Sequence, residues 1–536
     1  MRIVVIGSGV AASHAALTLL ERGLAVEVWD IGRQEVVPEH PGVSLHGLKS
    51  TLEAPTEFFL GRELEALIPP GTGELLRYPP ARRFLLSRQD PHWPFVSDDH
   101  FKPYLSYSTG GLANGWGANA LAYAADDLRG WPLTVEDWAQ DYATVARRIP
   151  IAGPTEDDLT PYLQGIEPNQ PPVALNAADA WLLARYRRKR RGLNARGVYL
   201  GHSRMAVRTA SFEAGHCDAC DRCLWGCPRQ AIYEPARDTL RRCNAYTGFV
   251  HRPNRLVTSL SARDGRITGI RYLDLADNRL REEPCDAVFL AAGALGSGII
   301  FLNTLAQSGL DLTAESEGLM DTQVVKLPYV ALGRIGKPSV ERSFQFNRLD
   351  LGYVRERGVD AWPRYLHGEV LHLTGLLYHP LIESLPLPTR WGKRLFFALK
   401  SALGVVTLFF PDRLTAGNRL VLEESTPIPR VRAVYAAPTE QRRYWGHCIG
   451  RVQRALLTLG CLPKGAAYSP PGGGIHYAGT IPMGEGPKRC NAQGRSNLYA
   501  NLYIADGAAF PSLPSKSITL NLAAHATRVA RLATMA

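Results

Sequence analysis

The chain has 536 residues, of which 45% are apolar and 21% are charged. This composition excludes a disordered or low-complexity protein, and the length exceeds what one hydrophobic core usually serves, so we expect at least two domains. Lys and Arg outnumber Asp and Glu by 61 to 50, and the net charge of +11 favours acidic partners or an anionic surface without naming one.

The start of the chain and its most apolar stretch bear on where the protein works. Residues 1–7 enter a strand at once and leave no room for a secretory signal, so we expect a cytoplasmic protein unless a partner subunit exports it. The nearest approach to a membrane span, residues 394–410, contains Lys400 and divides into a short helix and a strand. The first half combines cations with Leu and Phe, so it could lie on a membrane surface; an ordinary amphipathic surface helix is the alternative.

Residues 3–30 predict a β-α-β unit that binds a dinucleotide. An apolar strand, Ile3–Ile6, is followed by Gly-Ser-Gly-Val-Ala-Ala, a helix, and a second strand that ends at Asp30. Gly7 allows the tight turn, Gly9 lets the backbone approach a pyrophosphate, and Ala12 permits close packing of helix on strand. Asp30 lies 21 residues after Gly9, where an acid accepts hydrogen bonds from ribose hydroxyls. This unit alone does not distinguish FAD from NAD.

Four of the nine cysteines form the run C-x₂-C-x₂-C-x₃-C-P, at Cys217, Cys220, Cys223 and Cys227. This is the spacing with which bacterial ferredoxins bind an iron–sulfur cluster. Structural zinc sites generally use two separated pairs of ligands, and disulfides are rare in a reducing cytosol. We therefore predict a cluster, either [4Fe–4S] on all four thiolates or [3Fe–4S] on three, with Cys243 as a possible substitute ligand. Zinc and no metal are the alternatives.

Four more segments complete the pattern. A glycine-rich stretch, Gly-Gly-Leu-Ala-Asn-Gly-Trp-Gly-Ala-Asn, occupies residues 110–119, and an apolar strand with small residues at its end occupies 285–294. Near the end of the chain, residues 475–484 combine His476 with glycines and a Thr-Ile-Pro-Met-Gly sequence. Residues 497–507 form a strand that ends in Asp506-Gly507 and leads into a final helix. Each segment alone would be an ordinary buried strand or turn.

Together these segments resemble the glucose-methanol-choline (GMC) oxidoreductases, and more narrowly their iron–sulfur-containing sugar and alcohol dehydrogenase branch. The resemblance covers most of the chain except roughly 311–415. It implies an α/β fold (α+β overall): a discontinuous Rossmann-like FAD-binding domain and a substrate-binding domain built on an antiparallel sheet with helices. We expect the FAD domain at 1–310 and 471–536, with a cysteine-rich insert near 212–230, and the substrate domain at 311–470.

The resemblance implies FAD as the cofactor and extends the set of residues expected to bind it. Gly115 stands where covalently flavinylated relatives often carry a histidine, so we predict a dissociable flavin. The residues expected at the cofactor are Gly7, Gly9, Ala12, Asp30, Gly110, Gly111, Asn114, Gly117, Ala118, Val257, Ala292, Gly293, Asp506, Gly507 and Thr519.

His476 is the predicted catalytic base, because alcohol oxidation requires loss of the hydroxyl proton and a neutral imidazole suits that task near neutral pH. Relatives usually place a second His or Asn shortly after the Asp-Gly pair, and here that position falls on Ser517. Ser517 could donate a hydrogen bond to the substrate oxygen, or Asn521 could do so one helical turn later. The neighbouring Lys516 could bring a positive charge near the flavin or face solvent.

The sequence therefore predicts an FAD-dependent dehydrogenase, rather than an oxidase, that acts on CH–OH donors. A sugar or polyol is the favoured substrate; a long-chain alcohol or sterol is the alternative. Electrons would leave through the cluster to a cytochrome, quinone or ferredoxin-like protein, and we expect no nucleic-acid partner. An electron-transfer subunit with no organic substrate of its own is the alternative from another class.

Overall fold

Two large sheets organise the residues that the computed structural model describes: 1–34, 43–67, 79–97, 99–213, 215–339, 342–356, 362–373, 379–383, 385–425 and 428–534. The helices, in chain order, are α1 (Val10–Glu21), α2 (Leu45–Thr51), α3 (Pro55–Leu60), α4 (Val135–Arg148), α5 (Ala177–Asn194), α6 (Arg241–Cys243), α7 (Gly293–Gln307), α8 (His379–Glu383), α9 (Thr389–Leu399), α10 (Thr439–Leu459) and α11 (Thr519–Leu532).

The strands, in chain order, are β1 (Ile3–Ile6), β2 (Val26–Trp29), β3 (Val198–His202), β4 (Phe249–Arg252), β5 (Arg255–Arg263), β6 (Arg266–Asp274), β7 (Arg279–Pro284), β8 (Ala287–Leu290), β9 (Met320–Asp321), β10 (Gln323–Ala331), β11 (Leu349–Val354), β12 (Tyr365–His372), β13 (Leu403–Phe410), β14 (Asp412–Arg413), β15 (Arg419–Glu424), β16 (Arg430–Val434), β17 (Cys461–Pro463), β18 (Ala467–Tyr468), β19 (Tyr477–Ala478), β20 (Leu502–Ile504) and β21 (Ser512–Leu513).

The first sheet is parallel throughout and has the order β20-β8-β1-β2-β4. Strands β1 and β8 are wholly buried runs of apolar residues, which is the pattern of a parallel sheet covered on both faces. Helix α1 is buried along nearly its whole length and packs against α11, so both ends of the chain contribute to one layer. The predicted return of the C-terminal segment to the first domain follows from β20 pairing with β8.

The second sheet is antiparallel, with the order β17-β10-β13-β12-β11-β3, and β18 also pairs with β10. Helices α5 and α10 contact each other, and their apolar residues share a buried cluster with those of the strands. Strand β3 comes from residues 198–202, within the range expected for the FAD domain, yet it pairs with β11 of this sheet. The substrate-domain sheet therefore includes a strand from outside 311–470.

Two short strand pairs join the two halves at the place where they meet. Strand β9 pairs with β19, which directly follows His476, and β14 pairs with β21, which precedes the last helix. Buried carboxyls support this junction: Gly472 donates its N–H to Asp321 at 2.6 Å, and Tyr435 donates its hydroxyl to Asp412 at 2.7 Å. Burial raises the pKa of Asp412 to about 6. In the described part of the chain, no helix is both long enough and apolar enough to cross a membrane.

Candidate active site

A cavity of about 460 Å³ lies between the two halves, at the carboxyl ends of β1 and β8. Ligands of open parallel sheets bind at this edge, because helix N-termini and short turns face it. The walls come from both ends of the chain and from the second sheet. They include the β1–α1 turn, parts of 104–119, Arg255–Val257, the β8–α7 turn, Gly474–Tyr477, Asp506–Gly507 and Ser517–Thr519.

The β1–α1 turn forms one end of the cavity. Gly9 precedes α1, and no side chain caps the first N–H groups of the helix, so these donors remain available to an anionic ligand. Ser8 donates its hydroxyl to Asp30 and accepts the N–H of Gly110 at 3.0 Å, which ties the turn to the acid and to the glycine-rich segment. His251 lies 3.0 Å from the other Asp30 oxygen.

Gly7 has no room for a side chain. Its φ is +107°, and a Cβ at this position would lie 2.4 Å from the Ala291 carbonyl oxygen at the end of β8. That contact is with backbone, so relief requires moving either the phosphate-binding turn or the neighbouring strand.

We expect Gly7→Ala to weaken FAD binding by roughly 10- to 100-fold, because relieving this backbone clash and the strained positive φ costs about 1–3 kcal/mol. Flavin absorbance of the purified protein and titration of the apoprotein with FAD would measure the effect. Gly23→Ala is the matched control, because Gly23 also has a positive φ (+79°) but nothing lies within 4 Å of its added Cβ. Equal FAD affinity in the two variants would contradict the expectation.

Most residues predicted from sequence to contact the cofactor line this cavity: Gly7, Gly9, Asp30, Gly110, Gly111, Gly117, Val257, Ala292, Gly293, Asp506, Gly507 and Thr519. Three do not. Ala12 is fully buried in α1 and packs in the core between helix and sheet, which agrees with the packing role expected of it. Asn114 donates to the Thr109 carbonyl at 2.6 Å, and Ala118 is fully buried with a φ of +65°. These two hold the shape of the glycine-rich segment rather than facing the cavity.

His476 also lines the cavity. Its ring stacks on Phe409 of β13 with 5.9 Å between centroids, and among the described residues Nδ1 has no hydrogen-bond partner. Burial lowers the pKa of His476 to about 4, so the imidazole is neutral at neutral pH. A neutral, buried imidazole facing a cavity can accept a proton from a bound hydroxyl.

Of the two residues predicted to assist His476, only one faces the cavity. Ser517 lines the cavity just before α11. The Asn521 side chain accepts from the Tyr123 N–H at 3.0 Å and the Tyr142 hydroxyl, and donates to the carbonyls of Leu121 and Ser517 at 2.9 Å. Its hydrogen bonds therefore all lie within the protein interior.

Lys516 neither faces solvent nor reaches the cavity. Its ammonium forms a fully buried ion pair with Asp127 at 2.5 Å and donates to the Ala122 carbonyl at 3.0 Å. The pair ties the segment before α11 to the chain that follows the glycine-rich loop.

Several cavity residues were not predicted as site residues, among them Asn119, Glu369 and Phe409. Asn119 donates to the Glu369 carboxyl at 2.6 Å, and burial raises the pKa of this acid to about 7, with further raising by the nearby Asp350 and lowering by Lys326. Glu369 lies on β12 and Phe409 on β13, neighbouring strands of the second sheet. These strands carry no motif, so only the alternation of side chains along β12 could have suggested which residues face inward.

The four cysteines of the ferredoxin-like run lie near one another on an irregular loop. Each sulfur receives a backbone N–H: from Ala219 at Cys217, Arg222 at Cys220, Gln345 at Cys223 and Ala231 at Cys227. The pKa of the Cys223 thiol is raised by burial and further by the other three thiols. Within the described ranges, however, no group of three or more His, Cys, Asp or Glu side chains is arranged to hold a metal ion.

Cys243 lies apart from this loop. It is buried at the end of the short helix α6, in the cluster around α1, and its thiol donates to the Thr239 carbonyl at 3.7 Å. Three cysteines of the run, Cys217, Cys223 and Cys227, instead pack against the separate buried cluster that includes Met205 and Ile232. The structure therefore does not bring Cys243 to the four thiols.

Comparison with known proteins agrees with this architecture. Residues 468–526 match a family described as GMC oxidoreductase. Among solved structures, the chain is similar to pyridoxine 4-oxidase from Mesorbium loti, with a TM-score of 0.62 and 14% sequence identity over 99% of this chain and 98% of that one. No curated protein matches the sequence. The predicted fold is confirmed: the chain has the GMC oxidoreductase fold, with the C-terminal domain of that family at residues 468–526.

Proposed function

We propose that this protein is an FAD-dependent oxidoreductase that oxidises a CH–OH group, and that it works as a dehydrogenase. The observation that carries the proposal is the cavity itself: one cavity is lined both by a dinucleotide cradle at Gly7, Gly9 and Asp30 and by the neutral, buried imidazole of His476.

The cavity residues fit FAD. Uncapped N–H groups at the start of α1 suit the pyrophosphate, Asp30 suits ribose hydroxyls, and Gly110, Gly111 and Gly117 leave room for a flat ring against backbone. When bound, FAD would supply the acceptor for the hydride that leaves the alcohol carbon. The remaining steps belong to the protein: placing the alcohol, removing its proton and excluding water.

His476 removes the hydroxyl proton in this mechanism. Its imidazole is unprotonated at neutral pH and is held against Phe409, so the base is ready before the substrate arrives. Ser517 can orient the reacting hydroxyl, and Asn119 with Glu369 can bind further hydroxyls of the substrate. Three polar side chains on the wall support a sugar or polyol over the alternative, a long-chain alcohol or sterol.

Glu369 makes this preference testable by pH. Its pKa near 7 means that the carboxyl gains a negative charge, and accepts hydrogen bonds more strongly, as the pH rises through about 7. We expect the KM of a polyol to fall over roughly one pH unit on each side of that value. In Glu369→Gln the KM should no longer change with pH in this range, because the amide does not titrate. A pH step that persists in this variant would assign it to another group.

The proposed activity is tested by anaerobic mixing of the flavin-loaded protein with candidate alcohols. Bleaching of the flavin absorbance by a sugar or polyol supports the proposal. An electron-transfer subunit would bleach only with a reduced partner protein, and that outcome would overturn it. Comparing reoxidation by oxygen with reoxidation by an artificial acceptor distinguishes an oxidase from a dehydrogenase.

We further propose that the cysteine run binds an iron–sulfur cluster that passes electrons to a redox partner such as a cytochrome, a quinone or a ferredoxin-like protein. The ferredoxin spacing supports this, and so do the backbone N–H donors at all four sulfurs, because such donors stabilise thiolate charge. The thiols would have to turn toward a common centre, because they are not so arranged in the described structure.

Iron and acid-labile sulfide, assayed after anaerobic purification, test the cluster. We expect about three or four iron atoms per chain, with Cys220→Ser losing most of them, while Cys461→Ser, a buried cysteine of β17, keeps them. If no iron is found after anaerobic reconstitution, the cluster proposal is wrong, whereas the proposed flavin chemistry is unaffected.

A further inference from the structure

An exposed apolar surface lies at the outer end of the second sheet, and nothing in the proposed function uses it. It comprises α8, α9 and the turn after β10. Trp391 is 52% exposed and Phe397 51%, although large aromatic side chains are usually mostly covered. The other members, all exposed by more than two fifths, are Leu332, Ile335, Leu381, Leu387 and Leu395. We call this set the apolar edge.

Hydrogen bonds hold the segments that carry these side chains together. The N–H of Gly336 donates to the Ala398 carbonyl at 3.1 Å, and the Ser401 hydroxyl donates to the Arg334 carbonyl at 2.7 Å. Both bonds hold the turn after β10 against the end of α9. At the other end, α8 packs on α9 near Gly392, which together with Phe396 forms the buried side of α9.

The charges on the apolar edge have one sign over a long stretch. From 385 to 411 the sequence contains no acidic residue, whereas α9 carries Arg390, Lys393 and Arg394. The guanidinium groups of Arg390 and Arg394 lie 5.5 and 4.9 Å from the Trp391 ring centre. No ion pair among the described residues involves any of the three cations, and Glu383 of α8 is the nearest acid along the chain. A surface that combines exposed apolar side chains with cations that form no ion pair in the described structure suits a partner that is both anionic and amphipathic.

We propose that the apolar edge docks on the surface of an anionic lipid bilayer. A helix of 11 residues spans only about 16 Å, so α9 would lie along the interface and not cross it. Trp391, Leu395 and Phe397 would enter the headgroup region, and the three cations would contact lipid phosphates. The combination matters because apolar residues or charges alone bind a membrane weakly, whereas each basic residue near such a surface adds roughly fivefold to the binding constant.

Co-sedimentation of the flavin-loaded protein with vesicles tests the proposal. Vesicles of phosphatidylcholine with phosphatidylglycerol should bind the protein at least tenfold more tightly than pure phosphatidylcholine, and added salt should weaken the binding. Trp391→Ser/Phe397→Ser and Arg390→Glu/Arg394→Glu should each reduce binding at least tenfold. Leu280→Ser, which changes a 57% exposed residue on β7, should leave it unchanged. Flavin content, measured in the same samples, confirms that each variant is folded.

Two results would overturn the proposal. One is equal binding to neutral and anionic vesicles, or binding that both double variants retain. The other is a dimer, detected by light scattering, that Trp391→Ser/Phe397→Ser dissociates while vesicles bind neither protein; the apolar edge would then be an interface between two copies of this chain.

Discussion

Replacing His476 by alanine is expected to lower the rate of alcohol-driven flavin reduction by about 10²- to 10⁴-fold, the usual contribution of a positioned general base. The substitution leaves Gly7, Gly9 and Asp30 unchanged in the cavity wall, so we expect FAD to remain bound. Because the pKa of His476 lies near 4, the base stays unprotonated well below neutral pH. The acid limb of the pH–rate profile should therefore appear near pH 4, and not near the ordinary histidine value of about 6.5.

Stopped-flow absorbance of the flavin under anaerobic conditions measures this effect directly. His447→Ala is the matched control, because His447 is an exposed histidine on α10 that lies outside the cavity. If His476→Ala reduced its flavin at the wild-type rate, the base would have to be sought among the other cavity groups, Glu369 first.

Replacing Lys516 by methionine is expected to lower the free energy of unfolding by about 3–5 kcal/mol, the cost of leaving one member of a buried ion pair without its partner. Lys516 and Asp127 are both almost fully buried, and the ammonium also bonds the Ala122 carbonyl.

Urea denaturation followed by circular dichroism measures this change. Lys189→Met, at an exposed lysine of α5, should change stability by less than about 0.5 kcal/mol. Adding Asp127→Asn to Lys516→Met should recover part of the loss, because the buried negative charge is then gone. A single variant as stable as the wild type would show that the pair contributes nothing net.

The sequence predicted the cavity wall near the start of the chain better than the wall from the second sheet. Gly7, Gly9 and Asp30 belong to one local β-α-β unit, in which spacing along the chain determines position in space, and all three line the cavity. The wall from the second sheet is assembled differently. Phe409 stacks on His476, and Glu369 joins the same cavity, only because β12 and β13 pair in one particular register, and no short motif encodes that register.

The last helix shows a second limit of sequence reasoning. Ser517 lies just before α11 and Asn521 lies in its first turn, and only Ser517 faces the cavity. Asn521 is buried by hydrogen bonds to the segment around Tyr123, a contact with residues 398 positions away in sequence. Lys516 likewise forms an ion pair with Asp127, a residue that no local sequence pattern indicates as its partner.

Strand β13 connects two features described separately above. Phe409, near one end, stacks on His476, while Leu403, at the other, follows the residues that adjoin α9. The strand is paired on both sides, with β10 and β12, so its backbone is held extended. The Cα atoms of Leu403 and Phe409 are therefore about 20 Å apart. If α9 rests on lipid headgroups, β13 would therefore hold His476 at a fixed distance from the membrane surface.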